Sequence, residues 1–422
     1  MKIVALVLFI AMYVMMIVLP KYRPLYSLSV ALIFIITGIL PINKVLSSVN
    51  WNVFLMITGT MIMVDYFIES KMPNLLAEIL IDKSGTVLKA TIYMSLFSGF
   101  ISAFIDNVAT VLIVAPVGLA ICKKLNINPV LMILSIAVSS NLQGAATLVG
   151  DTTSIMLADY ANMDFLDFFW MKNRPGIFFA VEFGALATVP IMAFVFRNNR
   201  ERITNDSRTL VDDYLPTIML LIMVLALISA SFIPNAPSII NGVICCSLSV
   251  VMVVISIIRT RKTDSFSQSV KNLDFETLGL LFGLFLVIGG ITHVGLVNDI
   301  ASLLSKGGKH SLFLLYTVIV WGSVLISAFI DNIPYVATML PILAVVTEAL
   351  GIEPYLLFFG LLTGATLGGN LTPVGASANI TAAGLLKKEG YLVSFKEFRK
   401  IGLPFTLTAV TVGYLFIWFL WS

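Results

Sequence analysis

Charge, histidine and cysteine are what this chain has least of. Of 422 residues only 12% are Asp, Glu, Lys or Arg, against 59% hydrophobic, and there are 2 histidines and 3 cysteines. So little polar surface cannot cover a soluble globule of this size, which excludes that class. Cys122, Cys245 and Cys246 lie in or beside apolar segments without metal-ligand spacing, which excludes a disulfide framework and a zinc site. No HExxH, GxSxG or P-loop pattern occurs, so neither an intramembrane enzyme nor an ATP-driven pump is indicated, and nothing calls for a separate ATPase subunit. The formal charge of +3 is spread over the loops with no basic block among aromatics, which leaves nucleic acid out as a partner. No resident cofactor is implied.

What the chain does have is a series of apolar runs of helical length. They predict an all-α polytopic membrane protein whose solvent is the lipid bilayer; a barrel would alternate over segments of about 10 residues. The first run, Val4 to Leu19, has no small-x-small cleavage site and passes into Pro20-Lys21-Tyr22-Arg23, and so reads as a retained span. Spans are predicted near 3–19, 25–41, 51–69, 128–161 and 175–196, then near 213–233, 237–259, 275–292, 353–386 and 401–421. Two further apolar stretches, 87–122 and 311–350, stand apart from these. A polar linker at 201–212 separates a first unit, 1–200, from a second, 213–422.

The two units share a text. Ser102-Ala103-Phe104-Ile105-Asp106-Asn107 returns letter for letter as Ser327-Ala328-Phe329-Ile330-Asp331-Asn332. At the same offset of 225 residues Pro116 aligns with Pro341, Pro129 with Pro354, Gly144 with Gly369, Thr147 with Thr372, and Val149-Gly150 with Val374-Gly375. Asp-Asn interrupts each extra stretch near its middle, so 87–122 and 311–350 are expected to be re-entrant hairpins, with Asn107 and Asn332 capping the second arms. Pro334 suits the first turn of such an arm. Irregular backbone at that depth must be buried in protein or line a wet cavity. The clusters of Gly, Thr, Ser, Asn and Pro in 128–161 and 353–386 are poor helix interiors, and both spans are expected to break there.

Charge sorting adds an orientation. With five crossings per unit and each hairpin returning to its own side, Lys2, Lys44, Lys172, Arg174, Lys306 and Lys309 fall on one face and the remaining 20 of the 26 basic residues on the other. The richer face is cytoplasmic by the positive-inside bias, so both termini are expected outside the cell membrane. An odd number of crossings makes the repeats inverted, an arrangement found in many secondary transporters.

A carboxylate near the membrane centre costs about 2.5–3.5 kcal/mol on insertion scales, so Asp106 and Asp331 need a cation, a proton or water beside them. No Lys or Arg falls within a predicted span to serve. The candidate ion-binding set is Asp106, Asn107, Asp331, Asn332, Thr147, Asp151, Thr372, Ser377 and Asn379, with Na⁺ at Asp106, Asn107, Asp331 and Asn332, or a proton exchanged at the aspartates, as the coupling ion. Asp151 has no acidic counterpart, because Ala376 aligns with it.

The doubled S-A-F-I-D-N hairpin motif, with G-N-L-T-P-V-G-A-S-A-N in the second broken helix, resembles the ion transporter superfamily. That group includes arsenite and antimonite permeases, D-type sodium/proton antiporters, silicon effluxers and the sodium-coupled symporters with a citrate-transporter-like domain. The resemblance covers nearly the whole chain. Where the symporters carry a Ser-Asn-Thr tip, this sequence has Ile105-Asp106-Asn107 and Ile330-Asp331-Asn332, closer to the antiporter and efflux branches. Gly150-Asp151-Thr152-Thr153-Ser154 stands where many relatives show Gly-Asp-Pro-Pro-Asn. The resemblance implies a homodimer in which a domain of hairpins and broken helices moves against a scaffold. The expected function is secondary active transport of a small inorganic ion, an anion or oxyanion, coupled to H⁺ or Na⁺; the alternative is Na⁺/H⁺ antiport, ahead of dicarboxylate symport or a channel.

Overall fold

The computed structural model describes residues 1–199, 201–203, 209–260 and 270–422. Part of the expected linker, and the basic residues Arg200, Arg208, Arg261 and Lys262, lie outside these. Nine helices longer than a turn occupy the first unit: α1 Lys2–Val18, α2 Arg23–Ile36, α3 Trp51–Glu69, α4 Met72–Ser84, α5 Val87–Ser102, α6 Asn107–Lys124, α7 Val130–Gln143, α8 Thr152–Ala161 and α9 Ile177–Val195. Nine follow in the second among the described residues: α10 Leu215–Ala230, α11 Ile240–Thr260, α12 Phe275–His293, α13 Leu296–His310, α14 Leu312–Ser327, α15 Asn332–Leu350, α16 Tyr355–Gly368, α17 Ser377–Lys388 and α18 Phe395–Trp421. The order is the same in both. Seven of these helices, α3, α6, α9, α11, α12, α15 and α18, are long and apolar enough to cross a membrane.

The sequence reading passes over α4 and α13. Both carry charge, Glu78, Asp82 and Lys83 in one and Asp299 and Lys306 in the other, so a search for apolar spans leaves them out. They lead into the hairpins, whose first arms start at Thr86 and Ser311, again 225 residues apart, with each hydroxyl accepting a backbone N–H three residues on.

Packing crosses between the units in reciprocal pairs. Helix α2 lies on α12 as α11 lies on α3, and α15 lies on α8 as α17 lies on α6. Asn141 Nδ2 donates to the carbonyl of Thr366, 225 residues away, at 2.7 Å, so aligned positions of the two units touch. Hairpins α5–α6 and α14–α15 interleave with the broken helices α7–α8 and α16–α17 to form a core in which nearly every side chain of α7 and α16 is buried. Leucines and isoleucines along α1, α10 and α11 face outward instead.

Each broken helix is interrupted in one way. A 3₁₀ turn, Gly144–Ala146 or Gly369–Leu371, ends in an extended threonine, Thr147 (φ −131°, ψ 167°) or Thr372 (φ −131°, ψ 157°). The threonine hydroxyls donate to the carbonyls of Ala103 and Ala328, tying each break to the tip of its hairpin. Glycine is required at 150 and 375 because a Cβ there would lie 2.5–2.7 Å from the Gly144 and Ala103 carbonyl oxygens, or 2.6–2.8 Å from those of Gly369 and Ala328. The repeated Val-Gly pair is thus the contact that lets two backbone segments meet.

Candidate ion-binding site

Two hairpin tips, 103–106 and 328–331, carry the repeated acids. The carboxylates, not the neighbouring asparagines, are the helix caps: Asp106 Oδ1 accepts from the N–H groups of Val108 (2.9 Å) and Ala109 (3.2 Å), and Asp331 Oδ1 from that of Ile333 (3.2 Å). Asn107 and Asn332 are the first helical residues and reach inward. Asn107 Nδ2 donates to Asn141 Oδ1 at 3.0 Å, and Asn332 Nδ2 donates to Asp151 Oδ2 at 3.1 Å. A carboxylate at a helix N-terminus is favoured by the positive end of the helix dipole, which partly offsets its burial.

Beyond the caps the tips differ. Asp331 is buried, and its Oδ2 accepts from Arg23 Nη1 at 3.0 Å and from Ser377 Oγ at 2.9 Å. The sequence offers no Lys or Arg within a predicted span to serve, and this partner comes from just outside one. Arg23 opens α2 in the described structure instead of ending the preceding turn, and α2 packs against α12 so that the guanidinium, 14% exposed, reaches the second tip. The neighbouring α1 adds Tyr13, whose hydroxyl donates to the Pro334 carbonyl at 2.7 Å and lies 2.6 Å from Thr338 Oγ1.

Asp106 meets no such partner. Among the described residues no hydrogen bond or ion pair is made by its Oδ2, and the residue lines a cavity of about 510 Å³ between the first tip, α3 and the segment before α12. Asp65, Asp151 and Asp274 line the same cavity, as does Thr152, while no Lys or Arg among the described residues does. Asp151 Oδ2 also takes the Thr153 hydroxyl at 3.0 Å, Asp274 caps α12 through Thr277, and Asn272 Nδ2 donates to Asp65 Oδ1 at 3.0 Å. No three acidic, His or Cys side chains among the described residues converge tightly enough to hold a metal ion on their own.

With this geometry in view, residues 6–361 match the family pattern described as citrate transporter, CitMHS. The chain belongs to the citrate transporter family. A 46 kDa membrane protein of Mycobacterium leprae is 31% identical over 435 residues, covering 99% of this chain and 98% of its own length. An uncharacterized transporter of Mycobacterium tuberculosis is 29% identical over 428 residues with the same coverage. The P protein of Mus musculus is 24% identical over 455 residues, spanning 89% of this chain and 54% of its own. In fold the chain is similar to the YdaH transporter of Alcanivorax borkumensis, with a TM-score of 0.58 at 12% identity over 89% of this chain and 86% of that one. This member of the citrate transporter family is a multi-pass membrane transporter.

The remaining sequence-predicted residues of this citrate transporter family member fall into two sets. Asp151, Asn332 and Asp106 gather at or beside the cavity. Thr147 and Thr372 bind backbone instead, and Asn379 Nδ2 donates to the Gly369 carbonyl and to Asn370 Oδ1, each at 3.2 Å, while its Oδ1 is buried without a hydrogen-bond partner among the described residues. Ser377 joins Asp331. Sequence reasoning missed Arg23, Tyr13, Asp65, Asp274 and the asparagine pair Asn141–Asn370, joined at 3.1 Å across the centre. Asn141 and Asn370 were detectable as polar residues within otherwise apolar spans; Arg23 gave no signal, since it reads as one more basic loop residue.

Proposed function

We propose that this chain is a secondary active transporter of the cell membrane that moves a small inorganic ion by alternating access, with H⁺ or Na⁺ bound at Asp106 as the coupling ion. The observation that carries this is the cavity itself: four aspartates line it and, among the described residues, no Lys or Arg does, while the Asp106 carboxylate keeps one oxygen for a ligand. A free anion entering such a cavity meets like charge in a medium of reduced dielectric, whereas a cation is drawn in. Na⁺/H⁺ antiport thus gains over permeation of a free anion or oxyanion.

A second reading is favoured by one further feature. Helix α8 begins at the cavity wall without a side-chain cap, leaving N–H groups at its positive end. An anion can be held there provided the cation at Asp106 enters with it, which makes cotransport the reading closest to the family's description.

Orientation follows the charge sorting and is supported by the ion pairs. Lys2–Asp299 and Lys172–Glu353 join residues assigned to the outside, and Lys71–Asp212, Lys123–Glu389 and Arg259–Asp213 join residues assigned to the cytoplasm. On that assignment the Asp106 cavity, bordered by Asp65 and Asp274 at cytoplasmic helix ends, opens inward. The test is pH-dye fluorescence in sealed proteoliposomes challenged in turn with Na⁺, Li⁺, phosphate, sulfate, citrate and arsenite. A cation-evoked proton flux lost in Asp106→Asn supports antiport; a flux evoked by an anion only when the cation is present supports cotransport. Anion-driven flux without any coupling cation, unchanged in Asp106→Asn, overturns both.

A further inference from the structure

The two tips are built on one frame, and that frame lets the occupant of one be read from the other. Asp106 and Asp331 align at 225 residues, as do the N–H donors Val108 and Ile333, and so do Thr152 and Ser377 at the starts of α8 and α17. At the second tip the outer carboxylate oxygen of Asp331 is shared by the Ser377 hydroxyl and a positive group, the Arg23 guanidinium. At the first tip the aligned hydroxyl, Thr152, and the aligned carboxylate, Asp106, both border open space.

We propose that the Arg23 guanidinium is a resident cation that occupies, at the second tip, the place a mobile coupling cation takes at the first, so that the chain holds two related cation sites of which one is permanently filled. This rests on the coupling role given above to Asp106. Arg23 does not belong to the repeated frame: it opens α2, and the corresponding stretch up to the start of α11, residues 231–240, contains no Lys or Arg. The sequence therefore supplies the tethered charge to one tip only. Charge balance follows. Asp331 is balanced by Arg23 with no ion bound, while Asp106 has no such partner among the described residues, so the tip carboxylates together call for one mobile cation. Removing Arg23 leaves Asp331 and Ser377 as a vacant copy of the first site, in which the buried carboxylate has lost its partner.

The experiment counts cations on the purified full-length chain in lipid nanodiscs, using whichever ion drives wild-type transport: ²²Na⁺ bound at equilibrium, or protons taken up in a potentiometric titration in excess of those taken up by Asp106→Asn. The expected counts are one for the wild type, two for Arg23→Met, and one again for Arg23→Met/Asp331→Asn. In Arg23→Met the dependence of transport rate on cation concentration steepens from first towards second order, which loss of a purely structural ion pair would not produce. Arg23→Gln, neutral yet able to donate to Asp331, is the companion if the methionine variant does not fold. Folded Arg23→Met and Arg23→Gln proteins that still bind a single cation overturn the proposal. A wild type that binds no cation through Asp106 overturns the coupling reading instead, a result distinguishable from a count that stays at one.

Discussion

Hairpin tips 103–106 and 328–331 have identical sequences, the same capping carboxylate and the same threonine tie to a broken helix, yet one is closed by an arginine and the other opens on an acidic cavity. The difference comes from outside the repeat. Helices α1 and α2 bring Tyr13 and Arg23 onto the second tip, and among the described residues of α10 and α11 nothing equivalent carries charge to the first. Identical local sequence fixes backbone form; the long-range partner decides which copy is closed by a charged side chain. A buried ion pair adds little net stability compared with an apolar pair, but breaking it by removing one member is costly. Arg23–Asp331 is for that reason better understood as an assignment of roles between the tips than as a fastening.

The comparison can be broken most severely at the first tip. Asp106→Asn keeps a side chain that can cap α6 but removes the charge, and cation-coupled flux in proteoliposomes is expected to fall at least about tenfold, equivalent to about 1.4 kcal/mol of lost coupling. Asp331 is next. Arg23→Met leaves it without its cation and is expected to destabilise the chain by about 3–5 kcal/mol, read as a lowered melting temperature in detergent. Added coupling cation should restore part of that loss, and an equal loss at every cation concentration would contradict the resident-cation account. Gly150→Ala and Gly375→Ala press a methyl group against backbone carbonyls at equivalent points, so each should cost about 1–3 kcal/mol and the two should match, a parity that thermal melts can check. The smallest effect belongs to Tyr13→Phe, which removes the hydroxyl bonded to Pro334 and is expected to cost about 0.5–1.5 kcal/mol.

Much of this was legible in the residues. The repeated hexapeptide located both hairpins, and Val149-Gly150 with Val374-Gly375 located both breaks, because small and polar residues in an apolar span have few other physical uses. Asp106 and Asp331 were singled out from the cost of an acid at membrane depth, and Asp151 as the acid that Ala376 does not match. What could not be read was anything carried by tertiary reach. Arg23 looks like a loop residue until α2 is laid against α12, and Asp274 looks like an ordinary helix cap until the segment before α12 closes over the first tip. The amphipathic helices α4 and α13 were missed for a different reason: a search tuned to apolar length passes over helices that mix charge with hydrophobic residues. Assigning the caps to Asn107 and Asn332 erred by one position, since Asp and Asn are comparable caps and only the structure shows which side chain turns back.

The most direct test of the central claim compares cation-driven flux in sealed proteoliposomes for Asp106→Asn and for the paired variant Arg23→Met/Asp331→Asn, which removes the buried pair as a unit. The account predicts that the paired variant retains cation-driven transport and Asp106→Asn does not. Transport that survives in Asp106→Asn and disappears in a folded paired variant would place coupling at the second tip and contradict it.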